Sequence, residues 1–148
     1  MPDILEPYHE VVKELEAVLY NLPGKLIAID GKDGSGKTTL SRYLSWYFNV
    51  SLIESDLFRT QEDGKLEYRE DEIKRIIEYR LNLPRPVIIE SVVVQQLLKN
   101  INKKADFNIY IINETYERDN WLVEIIHKYE KEYNPKNNAN KVIELNVI

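Results

Sequence analysis

Eight consecutive residues, Gly31-Lys32-Asp33-Gly34-Ser35-Gly36-Lys37-Thr38, narrow what this chain can fold into more than any other stretch. They satisfy the phosphate-loop pattern of Gly, four residues, Gly-Lys-Ser/Thr, which needs a strand before it and a helix after it. Both are written in the sequence. Lys25 to Asp30 is a short, mostly apolar run that reads as a buried strand. After it, Leu40, Tyr43, Leu44, Tyr47 and Phe48 recur at helical spacing. The chemistry accounts for the residue types. Gly31, Gly34 and Gly36 let the backbone come close to an anion. Successive N–H groups and the positive end of the helix then surround a β-phosphate. Lys37 would reach the β and γ oxygens, and Thr38 would turn its hydroxyl to Mg²⁺. Gly31, Asp33, Gly34, Ser35, Gly36, Lys37, Thr38 and Thr39 form the candidate nucleotide-binding set. Asp33 is expected to orient the loop or face the substrate, not to bind metal.

The rest of the chain alternates strand and helix patterns. Residues 3–20 carry Ile4, Leu5, Tyr8, Val11, Val12, Leu15, Val18 and Leu19 at i, i+3, i+4 spacing, ended by Asn21-Leu22-Pro23-Gly24. This predicts an N-terminal helical extension over 1–22, expected to pack over the sheet. Further strands are expected at 50–55, 87–90, 106–112 and 141–145, and helices at 69–82, 92–102 and 114–133. Between the second strand and its helix, Glu62 to Lys65 reads as a turn. Such alternation predicts an α/β, three-layer P-loop NTPase fold. Its five-stranded, mostly parallel sheet carries helices on both faces. With no internal repeat or linker, the 148 residues read as one nucleotide-binding domain, 1–148.

Composition removes several function classes. Lys+Arg 20 against Asp+Glu 25 gives −5, without the basic footprint of a general nucleic-acid binder. No cysteine is present, so disulfides, thiolate metal sites and a cysteine nucleophile are excluded. The N-terminus shows no signal-peptide pattern, and no segment reaches the ~18 apolar residues of a membrane span. A cytoplasmic protein is expected. His9 and His127 stand alone and read as surface or partly buried structural residues.

In open parallel sheets, ligands bind beyond the carboxyl ends of the strands. Two acids stand there. Glu90 follows Val87-Ile88-Ile89, where a carboxylate holds Mg²⁺ directly or through water. Asp56 follows the second strand and is a candidate general base for a hydroxyl under phosphorylation, with Arg59 nearby to hold substrate.

These stretches resemble a known family. Ile27-Ala28-Ile29-Asp30-Gly31 through Lys37-Thr38-Thr39-Leu40 looks like the opening of the uridine kinase-like branch of P-loop kinases. Asp56-Leu57-Phe58-Arg59 is similar to that branch's Asp-x-Phe-Tyr-Arg segment, whose Asp acts as base on the nucleoside hydroxyl. Ile88-Ile89-Glu90-Ser91 resembles its Val-Ile-Glu-Gly segment, and Arg118-Asp119 the end of its arginine-rich lid. Residues 113–124 contain only Arg118, where the family normally carries two or more arginines. The loop wording is shared with thymidylate kinases, whose Arg-Glu-Pro segment is absent. Asn102-Lys103-Lys104-Ala105 lacks the Asp of regulatory GTPases.

The expectation is therefore a small-molecule kinase, nucleoside-like acceptors favoured. It would use ATP and Mg²⁺, with Asp56, Lys37 and Arg118 catalytic, and Asp56, Arg59 and Glu90 toward the substrate. Thr38 and Glu90 would serve the metal. No nucleic-acid or membrane partner is expected. A nucleotide-binding switch or scaffold without turnover is the alternative.

Overall fold

The computed structural model describes residues 6–60, 64–113 and 120–145. Strand and helix alternate from the first strand onward: β1 (Leu26–Gly31), α2 (Lys37–Phe48), β2 (Ser51–Glu54), α3 (Glu70–Asn82), β3 (Val87–Glu90), α4 (Val94–Asn100), β4 (Phe107–Ile112), α5 (Leu122–Tyr133) and β5 (Lys141–Glu144), preceded by α1 (Glu6–Val18). A 3₁₀ turn, Ser55–Phe58, follows β2 directly.

All five strands are parallel, in the order β2-β3-β1-β4-β5. Burial follows position in the sheet. Central β1 and β3 are buried at every residue, as continuous apolar runs in a two-sided parallel sheet should be. Edge strands β2 and β5 each bury one residue fully.

Alternation along β1 sorts the two layers. Ile27 and Ile29 face α1 and α2, packing with Val11, Leu15, Leu40, Leu44, Ile88 and Ile143. Leu26 and Ala28 face the other way, onto Ile73 and Ile77 of α3 and Val94, Leu97 and Leu98 of α4. α5 lies on this second face, where Tyr129 reaches Asp30 and Glu130 reaches Tyr110. From β1 the chain moves to one side through α2, then returns through α3 and α4 on the opposite face to pass beyond β1. The reversal leaves a crevice between the carboxyl ends of β1 and β3, where ligands of such sheets bind.

Several expected bounds shift. The last helix starts at Leu122, not 114: residues 114–119 lie outside the described residues, Trp121 stands at the N-cap position, and Asn120 Oδ1 accepts the Leu122 N–H at 2.9 Å. The fourth helix starts at Val94, not 92, after Ser91 Oγ accepts the Val93 N–H. Ser55 leaves the second strand to open the 3₁₀ turn. α1 ends at Val18, and Ile4 and Leu5 lie outside the described residues. Gly64 takes φ 77° within the expected turn, whose residues 62 and 63 lie outside the described set.

Candidate functional site

The loop leaves β1 between Gly31 and Lys37, with Gly34 at φ 80° and Gly36 at φ 105°. The Ser35 N–H closes a turn onto Lys32 O at 3.1 Å, and the Leu40 N–H bonds Gly36 O. The N–H groups of Lys37, Thr38 and Thr39 open the helix and have no partner within it, which makes them donors for an anion. Gly31 is required by close approach. A Cβ there would stand 2.6 Å from Ser35 Oγ and 2.9 Å from Ile111 O.

Lys37 is 6% exposed and donates from Nζ to Lys32 O at 2.9 Å. Burial pushes its ammonium pKa down, while Glu90, Asp30, Asp33 and Asp56 oppose that shift. Four carboxylates thus share one buried cation. Ser35 Oγ, also buried, has no hydrogen-bond partner among the described residues.

Glu90 is 3% exposed. It pairs in register with Ile29 on one side and Glu54 on the other, and so points to the α2 face where Lys37 lies. Burial raises its carboxyl to about 7, with Lys37 opposing and Asp56 and Glu54 adding to the rise. Arg42 of α2 holds Glu54 through Nε at 2.6 Å.

Asp56 sits in the 3₁₀ turn, exposed. The segment beyond it doubles back: Arg59 and Tyr68 form an antiparallel bridge, the Arg69 N–H bonds Phe58 O at 2.7 Å, and Tyr68 OH meets Ser91 Oγ at 3.2 Å. The Arg59 guanidinium lies 4.9 Å from the centre of the Trp121 ring, at the entry to α5, and its buried Nε has no partner among the described residues. Asp33 accepts from Asn120 Nδ2 at 3.1 Å. Arg118 lies outside the described residues.

Asp33, Gly34, Ser35, Gly36, Lys37, Thr38, Thr39, Asp56, Arg59 and Glu90 all line one cavity of about 670 Å³. Its donor set fits a magnesium–nucleotide. Thr38 offers a hydroxyl and Glu90 a single carboxylate beside a buried lysine, and Mg²⁺ bound through phosphates takes one or two carboxylates.

Further residues at the site escaped sequence reasoning. Ser55 and Ser91 line the cavity directly after β2 and β3, where the strand-end rule alone marks them. Tyr8, Leu66 and Leu145 also line it, and no motif marks them. Asp30, buried beneath the loop, accepts from the Gly31 N–H at 2.7 Å and from Tyr129 OH at 2.5 Å. Tyr129 OH in turn accepts the Gln95 N–H.

Solved structures of the same fold include a possible uridine kinase from Bacillus stearothermophilus. It is 15% identical, with 93% of this chain and 97% of that chain covered at TM-score 0.64. A thymidylate kinase from Ehrlichia chaffeensis is 19% identical, covering 85% and 91% at TM-score 0.53. A sugar kinase from Janibacter sp. is 12% identical, covering 85% and 88%, also at 0.53. No protein-family model and no curated protein matches the chain. The fold is that of the P-loop kinases.

Proposed function

We propose that residues 1–148 act as one kinase domain that moves the γ-phosphoryl of ATP to a hydroxyl of a small molecule, a nucleoside-like acceptor being favoured. The observation that carries this reading is the shared cavity: phosphate-loop Lys37 and two strand-end carboxylates, Asp56 and Glu90, line it together. The likeness in fold to a possible uridine kinase, a thymidylate kinase and a sugar kinase supports the kinase part of this reading, and the nucleoside-like acceptor rests on the resemblance of Asp56-Leu57-Phe58-Arg59 to the uridine kinase-like segment.

In the proposed reaction the loop amides and Lys37 hold the phosphates. Asp56 takes the acceptor's hydroxyl proton as its oxygen bonds to the γ-phosphorus. The bond to the bridging oxygen breaks, and its electron pair leaves with ADP. Thr38 and Glu90 would hold Mg²⁺, which supplies charge neutralisation at the β and γ oxygens. Arg59 beside Asp56 orients the acceptor, and Arg118 would meet charge on the transferring group.

The test uses ATP carrying heavy oxygen on its γ-phosphoryl, a metabolite extract, and the Lys37→Ala variant as control. A labelled product made by the unaltered protein alone names the acceptor. Asp56→Asn is expected to bind ATP normally yet lose transfer by about 10²–10⁴-fold. Unchanged turnover in that variant removes Asp56 from the mechanism. ATP binding with no labelled product from the unaltered protein overturns the kinase reading in favour of a nucleotide-binding switch or scaffold.

A further inference from the structure

A chain of hydrogen bonds beneath the phosphate loop ends on the loop's first peptide. Asp30, next to last in β1, is 3% exposed. Its Oδ1 accepts the Gly31 N–H at 2.7 Å, and its Oδ2 accepts the Tyr129 hydroxyl at 2.5 Å. Burial and the neighbouring carboxylate both raise the Tyr129 phenol, so it keeps its proton and donates. The same phenol oxygen accepts the Gln95 N–H of α4 at 3.0 Å. Gln95 is tied in turn to Asn108 of β4, Nε2 donating to Oδ1 at 2.7 Å. One carboxylate is thus braced from α5, with α4 and β4 behind it.

Above Asp30 there is little slack. Gly31 pairs with Ile111 of β4 and has no room for a Cβ. The next residue, Lys32, offers the carbonyl that receives Lys37 Nζ. A displacement at Gly31 therefore passes to the lysine that would meet the phosphates. A buried carboxylate is costly without its donors. Deprived of the phenol, Asp30 would turn toward Lys37, whose charge already acts on it, and would release the Gly31 N–H.

We propose that Tyr129 is a positioning residue for the phosphate loop: acting through Asp30, it fixes the Gly31 peptide and keeps Lys37 for the phosphates. The proposal rests on the reading of the loop as a nucleotide site and adds α5 to what holds that site in shape. Tyr110 supplies the comparison. It pairs in register with Asp30, and its hydroxyl donates to Glu130, the next residue of α5, at 2.5 Å. That bond also ties α5 to the sheet, but it does not touch Asp30.

Calorimetric titration of the full chain with the magnesium complex of a non-hydrolysable ATP analogue tests the proposal, with denaturant midpoints measured alongside. Tyr129→Phe and Tyr110→Phe each delete one hydroxyl between α5 and the sheet, and both should lower the midpoint. Only Tyr129→Phe should weaken the analogue, by about tenfold, while Tyr110→Phe stays within about twofold of the unaltered protein. Added to Asp30→Ala, Tyr129→Phe should change affinity by less than about twofold, because the residue it acts through is gone. Equal losses of affinity in the two tyrosine variants, or none in Tyr129→Phe, overturn the proposal. A further tenfold loss on the Asp30→Ala background overturns it as well. Should Asp30→Ala fail to fold, the two tyrosine variants decide alone. Failure of the unaltered protein to bind the analogue overturns the loop reading, and this inference with it.

Discussion

At the scale of single residues, the loop tolerates little change. Gly31 sits where β1 passes into the loop, with Ser35 Oγ and the Ile111 backbone oxygen both inside the space of a side chain. The serine hydroxyl can rotate away, but the carbonyl belongs to a paired strand and cannot. Gly31→Ala should therefore destabilise the protein by about 1–3 kcal/mol, seen as a lower denaturant midpoint. It should also weaken nucleotide binding, because relief of the clash moves the loop. An unchanged midpoint would mean that β4 yields at Ile111. Most of the loop could be read from the sequence, since its glycines, lysine and threonine each have one chemical reason to stand where they do. Asp30 was not legible. Its position inside an apolar run gave a strand but no sign of Tyr129, 99 residues away, as its partner.

Among the elements, α1 carries more than its sequence showed. The apolar spacing foretold an amphipathic packing helix, and Leu15 is completely buried against the α2 face of the sheet. Leu15→Ala should cost about 2–5 kcal/mol, from lost transfer energy and the cavity left behind, as read by chemical denaturation. A loss below that range would show that the helix settles into the gap. What periodicity could not show is where the helix lies along the sheet, because any register that buries the stripe satisfies it. That placement brings Tyr8 to the loop. The start of α5 at Leu122 was not legible either, because the acidic and polar run before it carries no signal that separates it from the helix.

For the whole molecule, two carboxylates buried near the loop set a pH dependence. Burial lifts Asp30 from 3.8 to about 7, against the hydrogen bonds from Tyr129 and Gly31 and the charge of Lys37. Glu90 is lifted from 4.5 to about 7. In the unfolded chain both ionise at lower pH, so it binds fewer protons than the folded one between these values. Stability is therefore fully present below about pH 4 as far as these groups are concerned, and is lost as pH rises through about 7. Asp30→Asn keeps the shape without the charge. It should flatten the fall between pH 5 and pH 8 by about 2–3 kcal/mol, measured as the difference in unfolding free energy at the two values. An identical fall in the variant would show that Asp30 does not ionise in this interval. The parallel sheet covered by helices on both faces was legible in the alternation of elements, but its strand order was not, and burial of these two carboxylates depends on which faces meet and is not carried by local pattern.

The chain has two tryptophans, and the fold sends them to different places. Trp46 stands 62% exposed in the last turn of α2, at the opposite end of that helix from the phosphate loop. Trp121 lies under the guanidinium of Arg59, a residue that lines the cavity. An indole with a cation over its face emits differently from one without, so the molecule holds its own optical gauge at the place where substrate would enter. Trp46 serves as the built-in reference. Any acceptor that draws Arg59 toward itself would announce its arrival in the light from one residue.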